Sequence, residues 1–302
     1  MKIKFIILSM FAAVLVSCGT TSTVPITGRK HNLLVSDEQV LSLSNQEYTK
    51  YMQTAKVSTN AANTAMVKRV GQRLANAVET YLKNNGMSSE VKNFNWEFNL
   101  VQDNNVNAFC MPGGKIVVYE GLLPVTKDEA SLAIVLGHEI AHAVAKHSAE
   151  QMSKAYRQQY ATQIGSAVAS ALGVGSTAIS LGQWALQSGF QFRNLSYSRD
   201  NETEADHMGL IFAAMAGYNP EVAIPFWQRM AASSGSTSGT SGLQKMLSDH
   251  PSDANRIAAI QKEMPEALKY YQQAVPTSTT ATKTTTTRKT TTGKKAKRTS
   301  NR

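Results

Sequence analysis

The chain has 302 residues, of which 42% are hydrophobic and 17% are charged, a composition typical of a folded protein with a sizeable core. Its formal net charge is +10, but that charge belongs to the two ends of the chain. Two lysines lie in the first four residues, and eight basic residues without any acidic one lie in the last twenty. The body is therefore about neutral, which excludes an electrostatic argument for nucleic-acid binding.

The start of the chain predicts a lipoprotein signal peptide over residues 1–17. A basic start is followed by an apolar run from 5 to 16, which is too short for a comfortable transmembrane span. The run ends in Leu15-Val16-Ser17-Cys18, which resembles a lipobox, the sequence at which bacteria attach lipid to a cysteine and cleave before it. We therefore expect lipidation of Cys18; an ordinary signal peptide that happens to contain this cysteine is the alternative. Gly19 in place of an acidic residue is typical of lipoproteins sorted to an outer membrane, where the chain would face the periplasm.

Composition divides the rest of the chain into three regions. Residues 18–31 predict a flexible tether from the lipidated cysteine. Residues 32–273 carry periodic apolar segments and are expected to form the folded domain. Residues 274–302 are rich in Thr and Lys, cannot bury apolar surface and are expected to be disordered. This basic tail could also make a weak contact with an anionic surface.

The first half of the domain alternates helix and strand signals. Apolar residues at spacings of four predict a helix over 61–82, and alternation predicts a strand over 94–101. A turn leads to a second short strand over 115–119. Thr126, placed three residues before Glu129 as in a capping box, is expected to cap a long helix that runs to about Lys154.

The second half is expected to be helical. Residues 161–191 are apolar and rich in small residues, and we favour a helical hairpin, buried or covering an active site, over a membrane span. Helices are predicted over 201–216 and 220–231, followed by a Gly/Ser-rich loop over 235–242. The fold class expected from these elements is α+β and mainly helical, with a small β-sheet.

A metal-binding motif lies inside the long predicted helix. His138-Glu139-Ile140-Ala141-His142 matches the pattern H-E-x-x-H, in which residues four apart share one helix face, so that both imidazoles can bind one zinc ion. Glu139 lies next to this face and is expected to act as the general base of a hydrolysis reaction. The surrounding segment is apolar, and a buried carboxylate between two buried histidines is costly unless an ion compensates it.

The third ligand is expected from a later helix. Glu202 and Asp206 lie four residues apart, whereas Glu204 points elsewhere. Glu202 would complete a site of two histidines and one glutamate, and Asp206 would accept the outward N–H of a ligand histidine. His147 lies five residues after His142, one residue short of the metzincin spacing, and is expected to pack or hydrogen-bond at the helix end.

Together these motifs resemble a known family. A glycine before H-E-x-x-H, a later Ser-Arg-x-x-Glu-x-x-Ala-Asp segment, and Asn-Ala-Phe-x-x-Pro-Gly-Gly before an aliphatic strand are similar to the HtpX, CAAX prenyl protease and BepA family, over about residues 30–260. The resemblance implies a zincin-like fold and endopeptidase activity, with one zinc ion bound by His138, His142 and Glu202. Unlike some members, the chain lacks several strong membrane spans and a helical-repeat domain.

The resemblance also implies a substrate site and a further active-site residue. An edge strand bordering the active site would pair with an extended substrate, and the residues expected to bind it are Asn107, Ala108, Phe109, Gly113 and Gly114. Members often carry a His-Pro followed five residues later by arginine.

That motif occurs here as His250, Pro251 and Arg256. We expect His250 to lie near the zinc ion, either as a donor to the reacting carbonyl or as an inhibitory ligand.

These observations predict a membrane-anchored zinc endopeptidase. Its expected substrates are unfolded, misassembled or stalled proteins of the cell envelope. The alternative is an envelope lipoprotein that serves as a chaperone or scaffold and has a structural zinc site. Glu139 favours the protease, because a structural site has no use for a general base.

Overall fold

The computed structural model describes residues 20–170, 181–234 and 254–275. Their helices are α1 Asp37–Thr54, α2 Ala61–Asn84, α3 Ser88–Val91, α4 Leu123–Thr126, α5 Glu129–Val144, α6 His147–Ser170, α7 Leu181–Ser188, α8 Arg199–Met215, α9 Ala223–Ser234 and α10 Ala254–Ala274. The strands are β1 Thr20–Thr23, β2 Lys30–Leu33, β3 Glu97–Val101, β4 Ala108–Met111 and β5 Lys115–Tyr119. The expected class, α+β and mainly helical with a small sheet, is confirmed.

The N-terminal segment is folded where the sequence predicted a flexible tether. β1 and β2 pair as an antiparallel hairpin, with Thr20 opposite Leu33 and Thr23 opposite Lys30. At its tip the backbone N–H of Val24 donates to the carbonyl of Arg29 (2.8 Å), and the Val24 side chain is 1% exposed in the main core. Prediction of a tether was therefore wrong for residues 20–31, because a few apolar side chains in a polar segment suffice to dock it.

The second sheet has three strands in the order β3–β5–β4. β5 pairs in parallel with β3 and antiparallel with β4, which leaves β4 at an edge. Both faces are covered: Ile116 and Val118 point into the core formed with α2, α5 and α8, whereas Val117 points into a second core with α1 and α6. The alternation of side chains along a strand explains why all residues of β4 are buried.

Two predicted helix boundaries differ in the structure. Asp128, not Thr126, caps α5: its side chain accepts the N–H of Ser131, whereas the Thr126 hydroxyl donates to the Leu123 carbonyl within α4. The helix expected to run to Lys154 is also interrupted. α5 ends at Val144, and Lys146 adopts a left-handed conformation (φ 58°) before α6 begins at His147.

The other predicted helices agree with the structure within a few residues. α2 begins at Ala61 as expected, and α8 occupies Arg199–Met215, where 201–216 was predicted. The ends of the expected 161–191 hairpin are helical in α6 and α7, while 171–180 lies outside the described residues. Within the described ranges, none of the helices combines the length and apolar character needed to cross a bilayer. The predicted loop 235–242 and the tail from 276 onward also lie outside those ranges.

Candidate metal centre

The site is built where α5 and α8 cross at two glycines. A Cβ placed on Gly137 would lie 2.6 Å from the carbonyl oxygen of Gly209, and one on Gly209 would lie 2.6 Å from the backbone nitrogen of His138. Only glycine allows the two backbones to approach this closely. The crossing therefore brings the two motif histidines of α5 against the acidic first turn of α8.

Three buried side chains converge at this crossing. His138, His142 and Glu202 are 3%, 1% and 6% exposed, and one donor atom of each lies within 4.8 Å of the others. The two Nε2 atoms are 3.0 Å apart, and the Glu202 carboxylate oxygens lie 3.3 Å from His138 Nε2 and 3.4 Å from His142 Nε2.

The donors fit zinc in type and in spacing. Two atoms that each lie about 2.0–2.1 Å from a tetrahedral zinc ion are roughly 3.3 Å from each other, close to the separations seen here. Two imidazole nitrogens and one carboxylate are a common donor set of catalytic zinc sites. The expected ligand residues are thus brought together by the fold.

Glu139 is buried beside this group, at 5% exposure. It lies on α5 toward the edge strand β4, where Cys110 is also buried. Burial, and secondly the negative charge of Glu139, raise the pKa of the Cys110 thiol well above its usual range. Glu139 directly follows the ligand residue His138 on α5 and is buried like it, so its carboxylate belongs to the interior of the metal centre, as a general base requires.

The outward nitrogen of His138 is held as expected. His138 Nδ1 donates to Asp206 Oδ1 at 2.9 Å, and Arg256 Nη2 donates to the same oxygen at 2.6 Å. Burial opposes ionisation of Asp206, but Arg256 and His138 hold the pKa of its carboxyl group below the usual range. Burial also opposes protonation of His138, yet Glu202 and Asp206 raise its pKa to about 9. Burial lowers the pKa of His142, so the two ligand histidines differ in their preference for a proton.

The ring nitrogen of His142 that points away from the metal centre, Nδ1, lies within hydrogen-bonding distance of another histidine. His142 Nδ1 lies 2.8 Å from His147 Nδ1, and His147 Nε2 lies 2.9 Å from Glu204 Oε2. The expectation that His147 hydrogen-bonds at the helix end, and that Glu204 points away from the metal, is confirmed. Tyr197 stacks on the His142 ring with centroids 4.0 Å apart and donates to or accepts from the Ser148 hydroxyl at 2.9 Å.

The expected substrate residues lie on and beside β4. Ala108 and Phe109 belong to the strand, and the Asn107 carbonyl accepts the N–H of Tyr119 at 3.0 Å. Hydrogen bonding alternates along an antiparallel pair, so the backbone groups of Ala108 point toward the outer edge of the sheet.

The two glycines of the β4–β5 turn have a structural reason of their own. Gly113 and Gly114 both have positive φ angles, 89° and 80°, and a Cβ on Gly114 would lie 2.5 Å from the Trp96 ring. The turn itself therefore requires them, without any contact to a substrate.

Two expected site residues, Cys18 and His250, lie outside the described residues. Arg256, from the same motif as His250, does reach the centre through Asp206. Sequence reasoning missed the contacts of Arg256, Arg29 and Tyr197. Arg256 had a signal, its spacing from Pro251, whereas nothing in the sequence marked the other two.

Comparison with known proteins gives a consistent result. The sequence profile of "Peptidase family M48" matches residues 61–264. The chain is 34% identical to human "Metalloendopeptidase OMA1, mitochondrial" over 81% of its own length and 46% of that relative, and 29% identical to the Saccharomyces cerevisiae "Mitochondrial metalloendopeptidase OMA1" over 83% and 71%. It is also 34% identical to a "Putative beta-barrel assembly-enhancing protease" of Vibrio cholerae over 44% and 28%. The chain spans about half the length of the first of these relatives.

Proposed function

The chain belongs to peptidase family M48, and from this premise we propose that it is a zinc-dependent endopeptidase of the bacterial cell envelope. The observation that carries the proposal is the convergence of His138, His142 and Glu202, with the outward nitrogen of each histidine already hydrogen-bonded. Such outward hydrogen bonds fix the tautomer and orientation of ligand histidines.

In the proposed reaction, the zinc ion and the side chain of Glu139 have different roles. Zinc, held by His138, His142 and Glu202, would polarise the peptide carbonyl and make a water molecule more acidic. Glu139 takes the proton of the attacking water and passes it to the leaving amine. Glu139 is buried and directly follows the ligand residue His138 on α5, which supports this role.

The proposed substrate path is the outer edge of β4. An extended peptide that adds a strand there would lie beside α5, the helix that carries Glu139, because β4 packs against this helix. Asn107, Ala108 and Phe109 are the proposed contacts. For Gly113 and Gly114 the turn geometry supports a role in shaping this edge.

The proposed location rests on the sequence at the start of the chain. The lipobox ending in Cys18 and the following Gly19 support an anchor in the outer membrane, facing the periplasm. Misfolded, misassembled or stalled envelope proteins are the proposed substrates. The similarity to a protease named for enhancing β-barrel assembly supports this class, and the similarity to the mitochondrial metalloendopeptidases supports the endopeptidase activity.

His250 is proposed as a further active-site residue. Arg256, six residues later, contacts Asp206, so the end of this motif lies at the metal centre. This contact supports a position for His250 near the open side of the zinc ion, either as a donor to the reacting carbonyl or as an inhibitory ligand.

The second candidate function, a scaffold with a structural zinc site, is disfavoured by Glu139. A structural zinc ion takes four protein ligands and needs no base, yet a buried carboxylate follows His138 directly.

The variant Glu139→Gln, made in the full-length chain, distinguishes an endopeptidase from a scaffold with a structural zinc site. We expect stoichiometric zinc and an unchanged fold, with proteolysis of unfolded casein slowed about 10²- to 10⁴-fold, the usual contribution of a general acid–base. Glu129→Gln, at the start of the same helix and paired with Arg69, is the matched control and should cleave normally. A zinc-loaded wild-type chain that cleaves no unfolded protein would favour the scaffold, and full activity of Glu139→Gln would remove Glu139 as the base.

A further inference from the structure

The second ligand histidine has a supporting chain of contacts that runs away from the metal centre. From His142 it passes to His147 and then to Glu204, over nitrogen–nitrogen and nitrogen–oxygen distances of 2.8 and 2.9 Å. Glu204 in turn binds Arg29, whose Nε lies 3.0 and 2.9 Å from the two carboxylate oxygens and whose Nη2 lies 2.7 Å from Oε2. The Thr27 hydroxyl donates to Glu204 Oε1 at 2.6 Å. His142 lies near the end of α5, His147 begins α6, Glu204 lies in α8, and Thr27 and Arg29 belong to the turn of the N-terminal hairpin.

The donor and the acceptor of each hydrogen bond in this series follow from the Glu204 carboxylate at one end and the proposed metal site at the other. The Glu204 carboxylate, bound by arginine, only accepts, so His147 Nε2 carries hydrogen and donates to it. In the His147 tautomer that carries its one ring hydrogen on Nε2, Nδ1 is an acceptor, and the Nδ1–H of His142 can donate to it at 2.8 Å. His142 is left with its Nε2 lone pair directed at Glu202 and His138. This is the tautomer that binds a metal ion.

The interruption between α5 and α6 is what makes this contact possible. On a continuous helix, residues five apart point about 140° away from each other around the axis. The left-handed conformation of Lys146 ends α5 and turns the chain, so that His147 packs against His142 with ring centroids 4.9 Å apart. His147 is completely buried, which excludes water as a competing partner.

We infer that His147, Glu204 and Arg29 are positioning residues for the metal ligand His142, and that the N-terminal hairpin is thereby part of the metal centre. The arrangement parallels the one on the other ligand, where Asp206 supports His138 and Arg256 binds Asp206. Each ligand histidine thus depends on a carboxylate that an arginine holds. This inference rests on the proposed zinc site.

Two carboxylates that bind the same arginine provide the test. Arg29 pairs with Glu204 and, through Nη1 at 2.7 Å, with Glu150, but only Glu204 hydrogen-bonds to His147. Glu150 also binds His31 of the hairpin. Glu150→Gln therefore weakens hairpin docking without breaking the chain of contacts to His142, whereas Glu204→Gln removes the charge that orients His147.

The zinc affinity of the full-length chain, purified in detergent, is measured by competition with a chromophoric chelator. Loss of a partner behind a ligand histidine costs about ten- to a hundredfold in metal affinity, and we expect roughly tenfold for Glu204→Gln and no change beyond about twofold for Glu150→Gln. The absorption bands of the cobalt-substituted protein should shift in Glu204→Gln only. Equal zinc affinity and equal cobalt spectra in the two variants would overturn the inference.

A second variant, His147→Asn, tests the same series of contacts in case Glu204→Gln does not fold. His147→Asn keeps an oxygen near the position of Nδ1 but cannot reach Glu204, and it should weaken zinc binding to a similar extent; wild-type affinity would contradict the inference. A wild-type chain that binds no zinc would overturn both this inference and the proposed function. One that binds zinc but cleaves nothing would overturn the proposed function alone.

Discussion

At the metal centre, oppositely charged side chains pair with one another where almost none of their surface is exposed to solvent. The side chains of Asp206 and Arg256 are 6% and 5% exposed, and the Arg256 guanidinium also stacks on Trp227, with Cζ 3.6 Å from the ring centroid. A buried ion pair is costly to break, because removal of one partner leaves the other charge without water or a counter-ion. Arg256 therefore supports both the fold and the orientation of His138.

Arg256→Ala tests this dependence. We expect the free energy of unfolding to fall by about 3–5 kcal/mol, the usual cost of breaking a buried pair. Arg69→Ala is the control, because Arg69 is about half exposed where it pairs with Glu129, and exposed ion pairs contribute little to stability. Urea denaturation of both variants measures the difference. Similar losses in the two variants would show that Arg256 is not a buried structural cation.

Sequence reasoning could place the ligands and Asp206, but not the two arginines that bind the supporting carboxylates. His138 and His142 share a helix face by their spacing, and Glu202 and Asp206 do so on a second helix, so periodicity was sufficient. Arg256 lies 118 residues from His138, and Arg29 lies 175 residues from Glu204. Contacts over such separations depend on how elements pack, which no local pattern encodes.

Among the elements, the α5–α8 crossing sets the geometry of the site. Its two glycines bring the backbones into direct contact; His138 directly follows Gly137 on α5, and Glu202 lies about two turns before Gly209 on α8. Because the crossing is backbone against backbone, it cannot yield by rotation of a side chain. A methyl group there must move a helix.

Gly209→Ala should therefore separate the helices and weaken the site. We expect a loss of about 1–3 kcal/mol in stability, as for overpacked cores, and a weaker affinity for zinc. Thr203→Ala, on the exposed side of α8, is the matched control and should change neither quantity. Thermal unfolding with and without zinc distinguishes the two effects. An unchanged zinc affinity in Gly209→Ala would show that the crossing is not what aligns the ligands.

The sequence predicted most elements of the domain but not the break between α5 and α6. Apolar residues continue through Ala143, Val144 and Ala145, so the helical pattern gives no stop signal, and Lys is a poor indicator of a left-handed residue. Tertiary contacts stabilise the left-handed conformation at this position. Lys146 Nζ lies 2.8 Å from Asp37 Oδ2 and 2.9 Å from Glu90 Oε2. These ion pairs help to hold a conformation that the local sequence disfavours.

In the molecule as a whole, two distant parts of the chain close on one centre. Arg29 comes from the N-terminal hairpin and Arg256 from α10.

The resemblance to HtpX, CAAX prenyl proteases and BepA placed the chain in the right family, although the comparisons do not single out one branch. The OMA1 relatives were not anticipated. The docked hairpin was not predicted either, because its docking depends on a few apolar side chains, Val24 and Leu33 among them, and on a few polar contacts.

The proposed lipid anchor would act on the whole molecule, and Cys18→Ser tests it. We expect this variant to lose labelling by radioactive palmitate in growing cells and to accumulate as an unprocessed precursor. Cys110→Ser is the control, because Cys110 is buried in β4 and should not affect labelling. Labelling that persists in Cys18→Ser would contradict the proposed lipidation.

The docked hairpin changes how far an anchored enzyme could search for substrates. Cys18 precedes the first strand by two residues, a reach of at most about 7 Å, whereas a free segment from 18 to 31 would extend to about 45 Å. With lipid on Cys18, the catalytic domain would lie against the bilayer surface and diffuse with it in two dimensions. Proteins that linger at the membrane would then meet the enzyme at a high local concentration, and freely diffusing proteins would meet it rarely.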